Sequence, residues 1–364
     1  MLTEFDDYLV HQTPEPIASP GTGDRNFYDR HFFNGFSREG DLYFGAALGL
    51  YPNRRVMDAA LSVLSEGVQH VVRASRLAPA ERTETCVGPL AVDVVEPLRA
   101  LRVRLGANEA GLEADLVFRA RTPPIEEPRF TLRSEGRLVM DLTRLTQFGR
   151  WEGWLRLAGA RRTIEPTRVL GVRDRSWGVR PVGEPEGGAP GLPPQFFWLW
   201  APIHFDDVCT HFDANEDAEG RAWHAAGSVV EAREDGAIEP MAAVAHRVRW
   251  KPGTRRAVAA ELTLTPHRGA AHRITLEPIL DFQMVGLGYL HPTWGHGVWK
   301  GPEAVATETW RLAGLDPLDP RHLHVQQLCR ARLGEREGLA VLEQLVIGPH
   351  APSGFTSLLD GAPP

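Results

Sequence analysis

Leu42-Tyr-Phe-Gly-Ala-Ala-Leu-Gly-Leu-Tyr51 alternates Leu42, Phe44, Ala46, Leu48 and Leu50 with Tyr43, Gly45, Ala47, Gly49 and Tyr51. Successive side chains of a strand point to opposite sides, so one face of this segment is continuously apolar and the other is built of aromatic and very small residues. Neither face is written for water. In an antiparallel protein this points to strands covered on both sides, or to a barrel with a ligand-sized interior.

The neighbouring sequence continues the pattern. Tyr51-Pro-Asn-Arg54 reads as a turn, and Val56–Ser65 and Val68–Leu77 read as strands separated by Glu66-Gly67. Upstream, Phe27-Tyr-Asp-Arg-His-Phe-Phe-Asn-Gly-Phe36 holds five aromatics and a histidine. Downstream, the meander continues with one strand segment at 91–105, a turn at 106–111, a strand at 112–121 and further strands over 136–170. Residues 183–194 contain four glycines and four prolines and mark the expected break. The strand pattern then restarts at Phe196-Phe-Trp-Leu-Trp-Ala201 and continues through 244–250, 257–266 and 273–284 to a hairpin, 324–333 with 339–347. Helical spacing shows only briefly, over 302–312. The expectation is an all-β chain of two antiparallel β-barrel or β-sandwich domains packed together, residues 1–182 and 195–364.

Composition narrows the function. The 364 residues carry a formal charge of -7, with no basic arm or polybasic run, which argues against nucleic acid as a partner. No apolar run reaches a membrane-spanning length, and the acidic N-terminus lacks the basic and apolar regions of a signal peptide, so a cytoplasmic location is expected. Cys86, Cys209 and Cys329 form no CxxC pair and no disulfide framework. A homodimer is compatible with the sequence. Ten tryptophans and 15 phenylalanines, several beside histidines, suit a cavity for a hydrophobic small molecule as well as a barrel core. Nothing matches GxGxxG after a strand, GxxxxGK[ST] or GxSxG, so dinucleotide, P-loop and α/β-hydrolase chemistry lack support.

Four polar clusters carry candidate chemistry. Gly171-Val-Arg-Asp-Arg-Ser-Trp-Gly-Val-Arg-Pro181 sets Asp174 between Arg173 and Arg175, with Trp177 close by. Asp207, His211 and Asp213 share parity on a strand, as do His322 and His324. Tyr289-Leu-His-Pro-Thr-Trp-Gly-His-Gly-Val-Trp-Lys-Gly301 brings together His291, His296, Trp294 and Trp299. Imidazoles and carboxylates on one strand face can chelate, but no metal-binding spacing such as HExxH occurs, so no metal and no cofactor is expected. General acid/base chemistry fits aromatic walls better, because desolvation shifts a carboxyl or imidazole toward neutrality and ring faces stabilise a developing cation. The catalytic candidates are His291, His296, His211, Asp207 and Asp174. The candidate walls are Trp177, Trp198, Trp200, Trp294, Trp299 and Tyr289.

Val172-Arg-Asp-Arg-Ser-Trp-Gly178, placed between two β-rich halves, resembles the Asp-x-x-(aromatic)-Gly corner of the two-domain lipocalin-like proteins grouped with carotenoid 1,2-hydratases, AttH-like proteins and some Diels-Alderases. Phe32-Phe-Asn-Gly-Phe-Ser37 and Asp206-Asp-Val-Cys-Thr-His-Phe-Asp213 look like a bacterial branch of that set. The resemblance implies two lipocalin-like barrels with a ligand site in or between them, and it carries Asp174 and Trp177 over as motif positions. It implies addition of water to, or cyclisation or rearrangement of, isoprenoid-type or polyketide-type apolar substrates without an organic cofactor. The expectation for this chain is a cofactor-independent hydratase, isomerase or cyclase acting on a bulky apolar substrate such as a terpenoid, steroid or aromatic catabolite. The competing reading is a non-catalytic carrier of hydrophobic molecules. The flanking arginines are expected to lower the Asp174 pKa and make it a poor proton donor, leaving Asp174 and Trp177 as a hinge corner and the chemistry to the histidines.

Overall fold

A computed structural model describes the chain except Glu186, Ala189, Pro190, Gly191 and Pro193. Those five lie within the break expected at 183–194, so that part of the expectation falls outside the described residues.

Among the described residues, two antiparallel sheets organise the chain, one of fourteen strands and one of ten. In the first, Phe27–Ser37 lies between Leu42–Tyr51 and Val169–Val179. The sheet extends one way through Val56–Ser65 to Val68–Leu77, and the other way through the 21-residue strand Arg137–Leu157 to Glu113–Ala120, Ala100–Leu105 and Leu90–Glu96. It curls until its ends meet. Leu61 and Ala74 from one end share a core with Leu90, Val92 and Val103 from the other, and Gly88 packs on Ala74 and Val305.

The second sheet closes similarly around Phe197, Phe212, Leu262, Leu276, Ala331 and Leu342. Its two edges meet beside Met241, which links the end strands Ile238–Pro240 and Ala243–Trp250 and whose N donates to Gly227 O of Ala222–Glu231 at 2.9 Å. A third apolar cluster joins the barrels, packing Phe32, Phe36, Phe148, Leu170 and Val172 of the first against Trp200, Phe282, Leu328 and Val341 of the second. Leu42–Tyr51 is therefore buried along its whole length: Leu42, Phe44, Ala46, Leu48 and Leu50 fill the first barrel, while Tyr43 belongs to the inter-barrel cluster.

Three local expectations are corrected. Residues 171–179 do not form a corner. They lie in Val169–Val179, in unbroken register with strands on both sides. The segment 91–105 is two strands, because Pro97 cannot donate to a ladder and Leu98 adopts a left-handed φ of 62°. The stretch 302–312 is the strand Glu303–Arg311, which pairs with Val68–Leu77 at the edge of the first sheet. Its β-branched residues and period of two outweigh a few helically spaced apolar positions.

Candidate active site

Three central strands of the first barrel present one face to the second barrel. Leu170 and Val172 point that way into the inter-barrel apolar cluster, and further along the same strand Asp174 and Ser176 take their place. Arg30 pairs with Ser176 on one side and Arg144 pairs with it on the other, so Arg30, Ser176 and Arg144 form a cross-strand row beside Asp174. The opposing wall comes from the second barrel: Trp198, Asn215, His324 and Leu345, with Tyr289 and His296 from the segment after the Met284–Leu287 turn. Between the walls lies a cavity of about 810 Å³, a volume suited to a bulky small molecule. Apolar packing fills one end of the inter-barrel space, and the other end is hollow, with Arg30, Arg144, Asp174, His296 and His324 set among largely apolar walls.

Strand parity decides the state of Asp174. Arg173 and Arg175 flank it in sequence but point to the opposite face. There Arg173 lies over Phe118 in the first barrel, and Arg175 pairs with Asp29. Asp174 opens onto the cavity with no hydrogen-bond partner among the described residues. Burial pushes its carboxyl up to about 6, against the pull of Arg144 and Arg30. The flanking arginines therefore do not hold it low, and the expectation built on them is corrected.

The two cavity histidines singled out in the sequence are saturated by protein groups. His291 accepts at Nδ1 from the amides of Thr293 (3.1 Å) and Trp294 (2.9 Å), and its Nε2 meets Glu308 Oε1 at 3.3 Å. His296 donates from Nε2 to Leu287 O (2.8 Å) and accepts at Nδ1 from Arg180 (3.1 Å). Burial and the cations of Arg30 and Arg180 hold its imidazole far below the usual histidine range, so it stays neutral.

His324 is different. Its Nε2 donates to Glu343 Oε1 at 2.5 Å, the other Glu343 oxygen accepts from Gln326 at 2.6 Å, and its Nδ1 has no partner among the described residues. The ring stands edge-on to Tyr289 and Trp198, with centroids 4.5 and 5.6 Å away. A carboxyl holding one nitrogen of a buried imidazole while the other, itself buried, has no partner is an arrangement that can orient a base.

His211 and Asp207 lie away from the cavity. His211 is buried beside Glu127, Asp213 and Arg144. Arg144 bridges the two carboxylates and sits over the rings of Phe130, Trp198 and Trp200. Burial opposes ionisation of Glu127, but Arg144 and His211 outweigh it and hold the carboxyl well below the usual range. Donor atoms of Glu127, His211 and Asp213 lie within 4.8 Å of one another, a spacing that could hold a cation, but the guanidinium already supplies the countercharge there. Asp207 is exposed and paired with Arg336 at 2.8 Å.

Among the candidate walls, Trp198 and Tyr289 line the cavity, and Trp200 is buried in the inter-barrel cluster. Trp177 and Trp299 are exposed, and Trp294 stacks under Lys300, so these three lie outside the lining. Arg30, Arg144, His324 and Glu343 were not among the selected candidates. Their signal was parity: Arg30 shares a strand face with Tyr28 and Phe32, and Glu343 interrupts the apolar Leu339-Ala-Val-Leu-Glu-Gln-Leu-Val-Ile347.

A family model covers residues 2–356. The chain belongs to DUF8625, a family of unknown function. No curated protein matches it. Among solved structures, kievitone hydratase from Nectria haematococca superposes with a TM-score of 0.54 at 13% identity, over 87% of this chain and 88% of that one. A protein described as AttH from Nitrosomonas europaea gives 0.54 at 12% identity, over 87% and 92%. CghA with Sch210972 gives 0.51 at 11% identity, over 88% and 89%. At such identities the likeness is one of fold, and the fold shared by this DUF8625 member is the two-domain lipocalin-like one.

Proposed function

We propose that this chain is an enzyme of hydratase, isomerase or cyclase type that works by general acid/base catalysis on a bulky apolar molecule held between the barrels. The observation that carries this reading is Asp174, a half-buried carboxyl without a hydrogen-bond partner among the described residues, open to the cavity and raised to about 6. A carrier needs no such group, and a desolvated acid without a hydrogen-bond partner is costly to keep.

In its protonated form Asp174 delivers its proton to an alkene carbon, and the faces of Trp198 and Tyr289 stabilise the cation that forms. For a hydration, a water oxygen bonds to the cationic carbon and its proton passes to Nδ1 of His324. Isomerisation or cyclisation ends with the same imidazole removing a proton from a neighbouring carbon. Glu343 stabilises the imidazolium, and proton return through solvent restores acid and base. The name of kievitone hydratase, one of the structural neighbours, states a reaction of this class.

The test is incubation with a panel of terpenoid and steroid alkenes in heavy-oxygen water, read by mass spectrometry. Turnover is expected to fall by about 10²–10⁴-fold in Asp174→Asn and in His324→Ala, with melting transitions retained. Binding of panel members without any product would assign the chain to carriage instead.

A further inference from the structure

The inner corner of the cavity is built almost entirely of donors. Arg30 is 3% exposed. It donates from Nη1 to the Tyr289 hydroxyl and has Nη2 3.1 Å from the His296 ring, and its Nε is buried without a partner. Arg180 donates to the other nitrogen of the same ring at 3.1 Å and lies over the Tyr28 face, 4.6 Å from its centroid. Among the described residues neither guanidinium has a carboxylate within 4.0 Å. Their shared contact, His296, is neutral because its Nε2 hydrogen is committed to Leu287 O and its Nδ1 accepts from Arg180. The Tyr289 oxygen accepts from Arg30, which leaves its own hydrogen for another acceptor.

Two cations set on either side of one neutral ring, with only neutral acceptors hydrogen-bonded to them, form an incomplete site. A buried guanidinium without a hydrogen-bonded counterion is expensive, and the group that completes this corner accepts hydrogen bonds and carries negative charge. Asp58 acts electrostatically on both arginines and Asp174 on Arg30, but no hydrogen bond joins either carboxyl to either arginine, and the Asp58 oxygens accept from Tyr51 and Gly297 instead. Resting on the reading of the cavity as a substrate site, we infer that the ligand's apolar body carries an anionic oxygen, a carboxylate, phenolate or enolate, seated against Arg30, Arg180 and the Tyr289 hydroxyl. Such an anchor places the rest of the molecule along the aromatic walls toward Asp174 and His324. It also separates the ligands of this site from plain hydrocarbons.

The test is calorimetric titration of the full chain at pH 7.5 with a matched pair, 2-naphthylacetate and 2-naphthylacetamide, which share shape and differ in charge. The acid is expected to bind at least about ten-fold more tightly than the amide. Arg30→Met should abolish that preference by weakening the acid far more than the amide, Arg30→Lys should keep part of it, and Arg180→Met should reduce it in the same direction. If Arg30→Met does not fold, Arg180→Met decides alone. Equal binding of acid and amide to the native chain, or a preference that survives the Met substitutions, would overturn the inference while leaving the cavity as a substrate site. Failure of both compounds to bind at millimolar concentration would remove both readings.

Discussion

A carboxyl held near pH 6 costs its protein stability at neutral pH. The displacement of Asp174 from an ordinary 3.8 to about 6 corresponds to ~3 kcal/mol as an upper figure. The sign follows from proton binding. The folded chain keeps the proton more tightly than the unfolded one, so the penalty is absent below about pH 4, grows as pH rises toward 6 and is complete above it. Asp58 behaves alike, since burial raises it to about 6 against the hydrogen bond it accepts from the Gly297 amide. Asp174→Asn should therefore be more stable than the native chain at pH 8, by up to ~3 kcal/mol, and equal to it below pH 4, in denaturant titrations run across that range. The variant that loses turnover would be the sturdier protein. Unchanged stability at pH 8 would show that the carboxyl is not strained by its surroundings.

At the scale of elements, Val169–Val179 serves both barrels, and its first turn toward the lumen leaves no space. A Cβ on Gly171 would come within 2.2 Å of Trp151 Nε1 and 2.4 Å of the Asn34 carbonyl, which are themselves hydrogen-bonded at 2.8 Å. Gly171→Ala should cost ~2–3 kcal/mol or more, because backbone and a buried indole must both shift, and a fall in melting temperature of several degrees would register it. Much at this scale could be read from side-chain alternation. Leu42–Tyr51, Val56–Ser65 and Val68–Leu77 have strong period-two patterns and unambiguous turns, so their limits were legible. The role of Asp174 was not. Arg173 and Arg175 are adjacent in the chain but point to the other face of the sheet, and the arginines that pull hardest on Asp174, Arg144 and Arg30, come from strands thirty residues and more than a hundred residues away in sequence. His324 was visible as a residue but not as the base proposed above, because its partner Glu343 lies across a hairpin.

For the whole molecule, we propose that residues 1–182 and 195–364 are two barrels that unfold together. Glu303–Arg311 leaves the second half to become an edge strand of the first sheet, and within it Glu308 pairs with buried Arg73 at 2.9 Å. The inter-barrel cluster adds aromatic surface that neither half can hide alone. A fragment ending at residue 182 lacks that edge strand and exposes Phe32, Phe36 and Phe148, and it should aggregate or bind a hydrophobic dye strongly. The full chain should melt in one calorimetric transition whose van't Hoff and calorimetric enthalpies agree. Two separated transitions would show that the halves are independent.

The alternation along Val169–Val179 also makes the cavity sensitive to the reading of a single codon. Removing one residue between Leu170 and Asp174 would exchange the two faces of everything that follows it. Asp174 and Ser176 would turn into the first barrel, and Arg173 and Arg175 would enter the cavity in their place. A length change too small to disturb the sheet would thus convert an acid-bearing wall into a cationic one. Substitutions can tune this site gradually, whereas insertions and deletions on this strand would switch its charge in one step.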